Sequence, residues 1–174
     1  MPAPKRINGP HQINAYHPPP MFPHTITMYN VEIYTDKATL QDTLVNHITV
    51  LKGVLVDASK AVNVRESGLE GADAVNLYIP FDVDAIDGVT GKKKEYVGPL
   101  KFWRADDKSG VWTMSIGGTK THGLNGSCFF VEGEAVHPDL DVQTIEMMYD
   151  GVYDITSIDR KNFGGLPHFE IGAK

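Results

Sequence analysis

A mainly β-strand protein is predicted, a small barrel or sandwich with one late short helix and an extended N-terminal arm. Three observations predict it. Short runs rich in β-branched and aromatic residues recur between turn signals along most of the chain. These runs do not alternate with helical units, which argues against a doubly wound parallel sheet. One segment alone, near residue 145, carries a clear helical period.

The arm comes first. Seven of the eleven prolines fall within the first 23 residues, including Pro18-Pro19-Pro20. Proline lacks a donor N–H and fixes φ, so this stretch joins neither a helix nor a central strand. Ile13, Tyr16 and Phe22, beside Pro18, Pro19 and Pro20, are apolar anchors that a spacer does not need, and are the candidates for contact with a partner. The arm is assigned to residues 1–23 and a single β-rich domain to 24–174. A chain of 174 residues is long enough for one substantial core and short for two.

The strands follow in order. Residues 25–34 read as a strand whose alternation slips phase near Tyr29-Asn30, the mark of a bulge or tight turn. Residues 36–46 fit a short helix or a loop. Residues 48–56 read as a strand with Gly53 at a bulge or bend. Ser67 to Asp73 carry turn signals. Val75, Leu77, Ile79 and Phe81 then alternate with polar neighbours, a half-buried strand that Pro80 ends or confines to an edge. Residues 82–97 read as a polar loop, 100–103 as a short strand and 106–110 as a turn. Trp112, Met114 and Ile116 fall on one face of the next strand, which Gly117-Gly118 ends. Residues 128–131, 152–158 and 169–171 are further strands. The helix lies between 142 and 149, capped by Asp139 or Asp141, with Val142, Ile145, Met148 and Tyr149 on one face and Gly151 as a left-handed exit.

Composition narrows function. The formal net charge of −6 argues against a duplex-binding surface, which depends on clustered Lys and Arg. The N-terminal stretch lacks the apolar core of a signal peptide, and no run approaches a membrane span. The single cysteine, Cys128, lies in an apolar run and reads as a buried structural thiol. The sequence contains no phosphate-binding glycine loop, nucleophile elbow, zinc-protease motif or paired cysteines. None of the seven histidines shares a helix face with another at ligand spacing, and His137 and His168 sit beside prolines in loop contexts. Asp82, Asp84 and Asp87 open like a calcium loop, but Gly88 comes one place late and Lys93 stands where the closing glutamate belongs. No catalytic residue, metal or cofactor is assigned. Lys92, Lys93 and Lys94, with the three aspartates, form the charged loop expected to face a lumen or passing DNA. Trp103 and Trp112 read as cross-strand core partners rather than a sugar-stacking platform.

Several segments together resemble small structural proteins from the head-to-tail gene clusters of phages and prophages of Gram-positive hosts. They are Pro23-His24-Thr25-Ile26-Thr27-Met28-Tyr29-Asn30, Val50-Leu51-Lys52-Gly53-Val54, Ala74-Val75-Asn76-Leu77-Tyr78-Ile79-Pro80, Trp112-Thr113-Met114, Phe130-Val131-Glu132-Gly133, and 154–159 with 168–172. Within that class the likeness is to head-closure or stopper-like neck proteins, small β-barrels that form a ring between adaptor and tail. Their members tend to be shorter, and the arm and insertions here depart from the pattern. The resemblance implies a non-enzymatic virion component, assembled in the bacterial cytoplasm. Its partners would be copies of itself in a ring, a portal or adaptor protein and a tail-terminator-like protein, with only transient contact with DNA and none with membrane. The alternatives are another virion component (tail terminator, minor capsid or capsid decoration protein) or a carbohydrate- or receptor-binding β-module.

Overall fold

The computed structural model describes residues 21–58, 75–116 and 127–174 in full, and the backbone of 64–65, 68–69, 120–121 and 124–126. Its elements are β1 (His24–Thr35), β2 (Asp42–Asp57), β3 (Val64–Arg65), β4 (Gly68–Leu69), β5 (Val75–Pro80), β6 (Asp84–Asp87), β7 (Glu95–Tyr96), α1 (Pro99–Arg104), β8 (Val111–Trp112), β9 (Lys120–Thr121), β10 (Leu124–Glu132), α2 (Val142–Met148), β11 (Val152–Lys161) and β12 (His168–Ala173). Six strands pair antiparallel in a closed circuit: β1 with β10, then β11, β12, β5, β2 and back to β1. The predicted barrel-or-sandwich is therefore a small barrel. Closure removes sheet edges, which is how a β-rich domain of this size avoids open pairing surfaces.

The interior is filled by Ile26, Met28, Leu51, Val54, Leu77, Ile79, Cys128, Phe130, Ile155, Phe169 and Ile171. On β5, Val75, Leu77 and Ile79 are buried, as their alternation predicts, and Pro80 ends the strand. A second cluster lies outside the barrel wall, where Tyr29, Val31, Ile48, Phe129 and Val131 are covered by Ala135 and by Ile145 of α2. Strands β1 and β10 are thus apolar on both faces, and Cys128, Phe129, Phe130 and Val131 are all buried.

That double burial corrects the expected bulge at Tyr29-Asn30. The pairing of β1 with β2 runs unbroken from Thr25↔Lys52 to Thr35↔Asp42. The apparent slip arises because Asn30 points into the barrel, its side chain bonded to Thr113 O and Cys128 Sγ, while Tyr29 and Val31 pack outside. The real bulge is at Gly53. His24 pairs with Val54 and Thr25 with Lys52, so Gly53 is the extra residue, at φ 87°.

Other expectations are corrected. The ambiguous stretch 36–46 is a tight turn followed by strand. Asp36 Oδ1 accepts the N–H groups of Ala38 and Thr39, and β2 begins at Asp42. The 82–97 segment is not a loop, since β6 pairs with β2 and β7 pairs parallel with β8. Residues 100–103 lie in α1 rather than a strand, because Pro99 occupies the first turn, where its missing N–H costs nothing. Trp112, Thr113, Met114 and Ser115 are buried in succession, so there is no one-faced strand, and Ile116 is exposed. Trp103 packs edge-on against Phe102 and Trp112 against Tyr96, in separate clusters, so they are not cross-strand partners. In α2, Asp141 is the cap, accepting Thr144 N–H at 2.7 Å, and Ile145 is the buried residue. Val142 and Met148 face solvent, and the helix exits through extended Tyr149 rather than a left-handed Gly151. Phe22, one of the arm candidates, is 3% exposed within the single chain. The remaining arm candidates, the Gly117-Gly118 turn and most of the turn near Gly71 lie outside the described residues.

Replacing Gly53 with alanine forces a Cβ into the left-handed region. The variant is expected to lose about 1–2 kcal/mol in urea unfolding, without losing the fold.

Candidate functional site

The site is built around the hairpin of β1 and β2. The β1 pairing with β10 ends at Glu32↔Gly126, and β6 pairs with β2 only from Thr49 onward. Beyond those points, Ile33, Tyr34 and Thr35 pair with Leu44, Thr43 and Asp42 and with no other named strand. The hairpin therefore projects past the barrel. Its end carries Tyr34, Leu40 and Leu44, at 53%, 79% and 48% exposure. Tyr34 and Leu44 lie on opposite faces of this element, with Leu40 at its turn, so each face offers a large apolar side chain for contact with another molecule.

A partly buried polar clasp holds the hairpin's base. Asn30 lies directly opposite His47, so the inward side of the hairpin carries Asn30, Glu32 and His47 together. Glu32 Oε2 accepts from His47 Nε2 at 2.9 Å, and Glu32 Oε1 lies 3.3 Å from Lys108 Nζ. Lys108 also donates to Ala105 O at 2.6 Å, the residue that ends α1. Phe102 of α1 meets the His47 ring edge-on at 5.9 Å. Nearby, Lys94 Nζ is 2.9 Å from Asp87 Oδ2 and donates to Ile48 O at 3.2 Å. The clasp ties β1, β2, β6 and the α1 segment into one body.

Its charges balance at neutral pH: two carboxylates, two ammonium groups and one imidazole. Burial pushes His47 below its ordinary 6.5, although the Glu32 carboxylate pulls the other way. Burial also acts to raise Glu32, but the hydrogen bond from His47 and the Lys108 ammonium outweigh it and leave Glu32 below its ordinary 4.5. Sequence reasoning missed this clasp. The signal for it was the phase slip in β1, where polar residues fall at inward positions.

A shallow groove of about 260 Å³ runs beside the hairpin, lined by Val31, Ile33, Leu44, Asn46, Ser127, Asp141, Val142 and Gln143. The α2 side of the groove is fixed by side chains reaching across. Asn46 donates to Leu140 O at 2.7 Å, the Tyr29 hydroxyl to Ala135 O at 2.6 Å, and His137 Nε2 meets the Tyr149 hydroxyl at 2.8 Å. A second hollow, about 370 Å³, lies at the opposite end of β1 against Pro23, His24, Val56 and Gly133.

The charged segment does not form one lumen-facing loop. Lys94 is buried against Asp87 and cannot reach DNA. Asp87 also accepts the N–H groups of Val89 and Thr90, so it is not turned toward Asp82 and Asp84 as a cation site. Asp82, Lys92 and Lys93 are exposed, and Asp84 is half-buried on β6. Among the described residues no three His, Cys, Asp or Glu side chains converge as a metal-binding group. His168 begins β12 rather than lying in a loop. Burial pushes the Cys128 thiol up to about 12, and its sulfur contacts Met28 Sδ at 3.5 Å, so it is an inert core thiol. Trp103 and Trp112 are buried and present no face to a sugar. No described helix is long and apolar enough to cross a membrane.

Residues 21–174 match the model of one family, described as "Family of unknown function (DUF6751)". Comparison with curated proteins returned no match, and comparison with solved structures returned none.

Acidification is expected to loosen the clasp. The unfolded chain binds a proton at His47 more readily than the folded one, so stability is lost as pH falls through 6.5 toward the lower folded value. Glu32 adds a further loss below 4.5. Urea midpoints between pH 8 and pH 5 should fall for the wild type and change less for His47→Gln. Lys94→Met, which removes the ion pair to Asp87 and the donor to Ile48 O but leaves Asp87 its bonds from Val89 and Thr90, should cost about 2 kcal/mol at pH 7 by the same measurement.

Proposed function

The chain belongs to the DUF6751 family, and from that premise we propose that it is a non-catalytic assembly subunit, a head-closure or stopper-like component of a phage neck. The observation that carries the reading is the projecting hairpin. A small closed barrel supplies a rigid body, and Tyr34, Leu40 and Leu44 extend from it on a strand pair fixed at its base by Glu32, His47 and Lys108. Ring subunits need such a division between a body that does not deform and a limb that contacts a neighbour.

Three further features support the reading. The likeness of several segments to head-to-tail cluster proteins points to the same class. Cyclic symmetry multiplies a modest contact around a ring, so a hairpin and a shallow groove suffice where a lone dimer needs a larger interface. The acidic chain, at −6, suits the wall of a channel through which DNA slides without sticking. Lys92 and Lys93, which remain exposed, are the basic side chains of that segment able to touch passing phosphates.

The test is localisation. In particles purified from a host expressing an epitope-tagged copy, gold-labelled antibody should mark the junction of head and tail. Label on tail fibres or over the capsid shell would overturn the assignment.

A further inference from the structure

The first twenty residues carry a pattern that matches the groove. Pro4, Ile7, Pro10, Ile13, Tyr16, Pro19 and Phe22 recur at every third position. A polyproline-type chain has three residues per turn, so these side chains fall along one side of it. The other positions are mostly polar or basic: Lys5, Arg6, Asn8, His11, Gln12, Asn14 and His17. The last member of the series, Phe22, is 3% exposed, so one side chain of the stripe is already buried in the folded protein.

Charge points the same way. Lys5 and Arg6 are the only formally charged side chains among residues 1–20, giving that stretch +2. With the whole chain at −6, residues 21–174 carry −8. A cationic strap and an acidic body attract one another at long range.

We propose that the groove between the β1–β2 hairpin and α2 receives the N-terminal arm of a second copy, laid down as a polyproline-type strap with Ile13 and Tyr16 in the groove. This rests on the reading of the chain as an assembly subunit and names the contact that links one copy to the next. The groove's chemistry fits such a ligand. Val31, Ile33, Leu44 and Val142 offer an apolar floor and walls, while Ser127 and Gln143 carry donors for the strap's unpaired backbone carbonyls. At about 260 Å³ it holds one or two side chains rather than a large small-molecule ligand.

A second copy, rather than the chain's own arm, follows from placement. The arm enters the body at Phe22 and Pro23, beside the hollow at the start of β1. The groove lies at the other end, beside Val31 and Ile33, roughly 25–30 Å along the strand. Six residues of polyproline-type chain separate Tyr16 from Phe22 and span roughly 19 Å, which falls short of the chain's own groove. A neighbour's groove is not subject to that limit. The contact is head-to-tail, the type that closes into a ring when the rotation permits.

The experiment uses the full chain and a fluorescein-labelled peptide of residues 1–20. Sedimentation of the wild type should show concentration-dependent association. The double variant Ile13→Asp/Tyr16→Asp should sediment as a monomer and still bind the peptide, because its groove is intact. Leu44→Asp and Val142→Asp, at positions 48% and 38% exposed, should keep the wild-type circular dichroism and melting temperature. Both should fail to associate and bind the peptide about tenfold more weakly or worse. Equal peptide binding by the groove variants would overturn the site. A monomeric wild type, whose groove takes up peptide only after the arm is mutated, would assign the groove to the chain's own arm and overturn the second copy. Neither result depends on where the protein sits in a particle, so failure here is separable from failure of the neck assignment.

Discussion

The structure depends on the central part of β1, which is paired on both edges and covered on both faces. From Ile26 to Glu32 it exchanges backbone hydrogen bonds with β10 on one side and β2 on the other. Ile26 and Met28 face the barrel interior, whereas Thr27, Tyr29 and Val31 lie beneath the segment leading to α2. Tyr29 stacks on Phe129, its partner in register, with ring centroids 4.7 Å apart. Thr27 Oγ1 donates to Gly133 O and accepts the Ala135 N–H. Barrel closure and the seating of α2 are both consequences of this one strand.

The same strand explains why charged groups lie inside. Its inward positions change from apolar to polar at Asn30 and Glu32, near the end where the barrel stops and the hairpin goes on. Those side chains cannot be left unpaired away from water. The segment carrying β7, α1 and β8 supplies their partners. Trp112 and Met114 complete the barrel core, Lys108 meets Glu32, and Thr113 O accepts from Asn30. An apolar replacement of similar shape could be as stable, so the network is better understood as fixing the direction of the hairpin than as raising stability.

Much of this architecture was legible in the sequence. The β-rich class, the position of β5, a bulge or bend at Gly53, an aspartate cap at 139 or 141 and the late helix follow from local chemistry that acts within a few residues. The errors came where tertiary context decides. Residues 100–103 look like a strand because aromatic side chains favour one, yet Pro99 and the buried pair Phe102 and Trp103 favour a single helical turn. Apolar residues recur on α2 at helical spacing, but the helix touches the body chiefly through Ile145, leaving Val142 and Met148 outside. The clasp was beyond reach because its parts are distant in sequence: Glu32 and His47 are 15 residues apart, and Lys108 comes from another segment. The lysine run looked like one solvated cluster, but Lys92 closes the turn onto Asp87 and Lys93 bridges to Ile86, both side chains staying exposed, while Lys94 is buried against Asp87 and Ile48 O.

The central claim is a rigid barrel from which a stiffly based hairpin projects, and native-state hydrogen exchange tests it most directly. Amides of 26–32 should exchange only through global unfolding, with protection that follows the unfolding free energy as urea is added. Amides of 33–35 and 42–44 should exchange at least about a hundredfold faster, through local opening that urea scarcely affects. Equal protection across both sets, or early exchange of the β1 centre, would contradict the account.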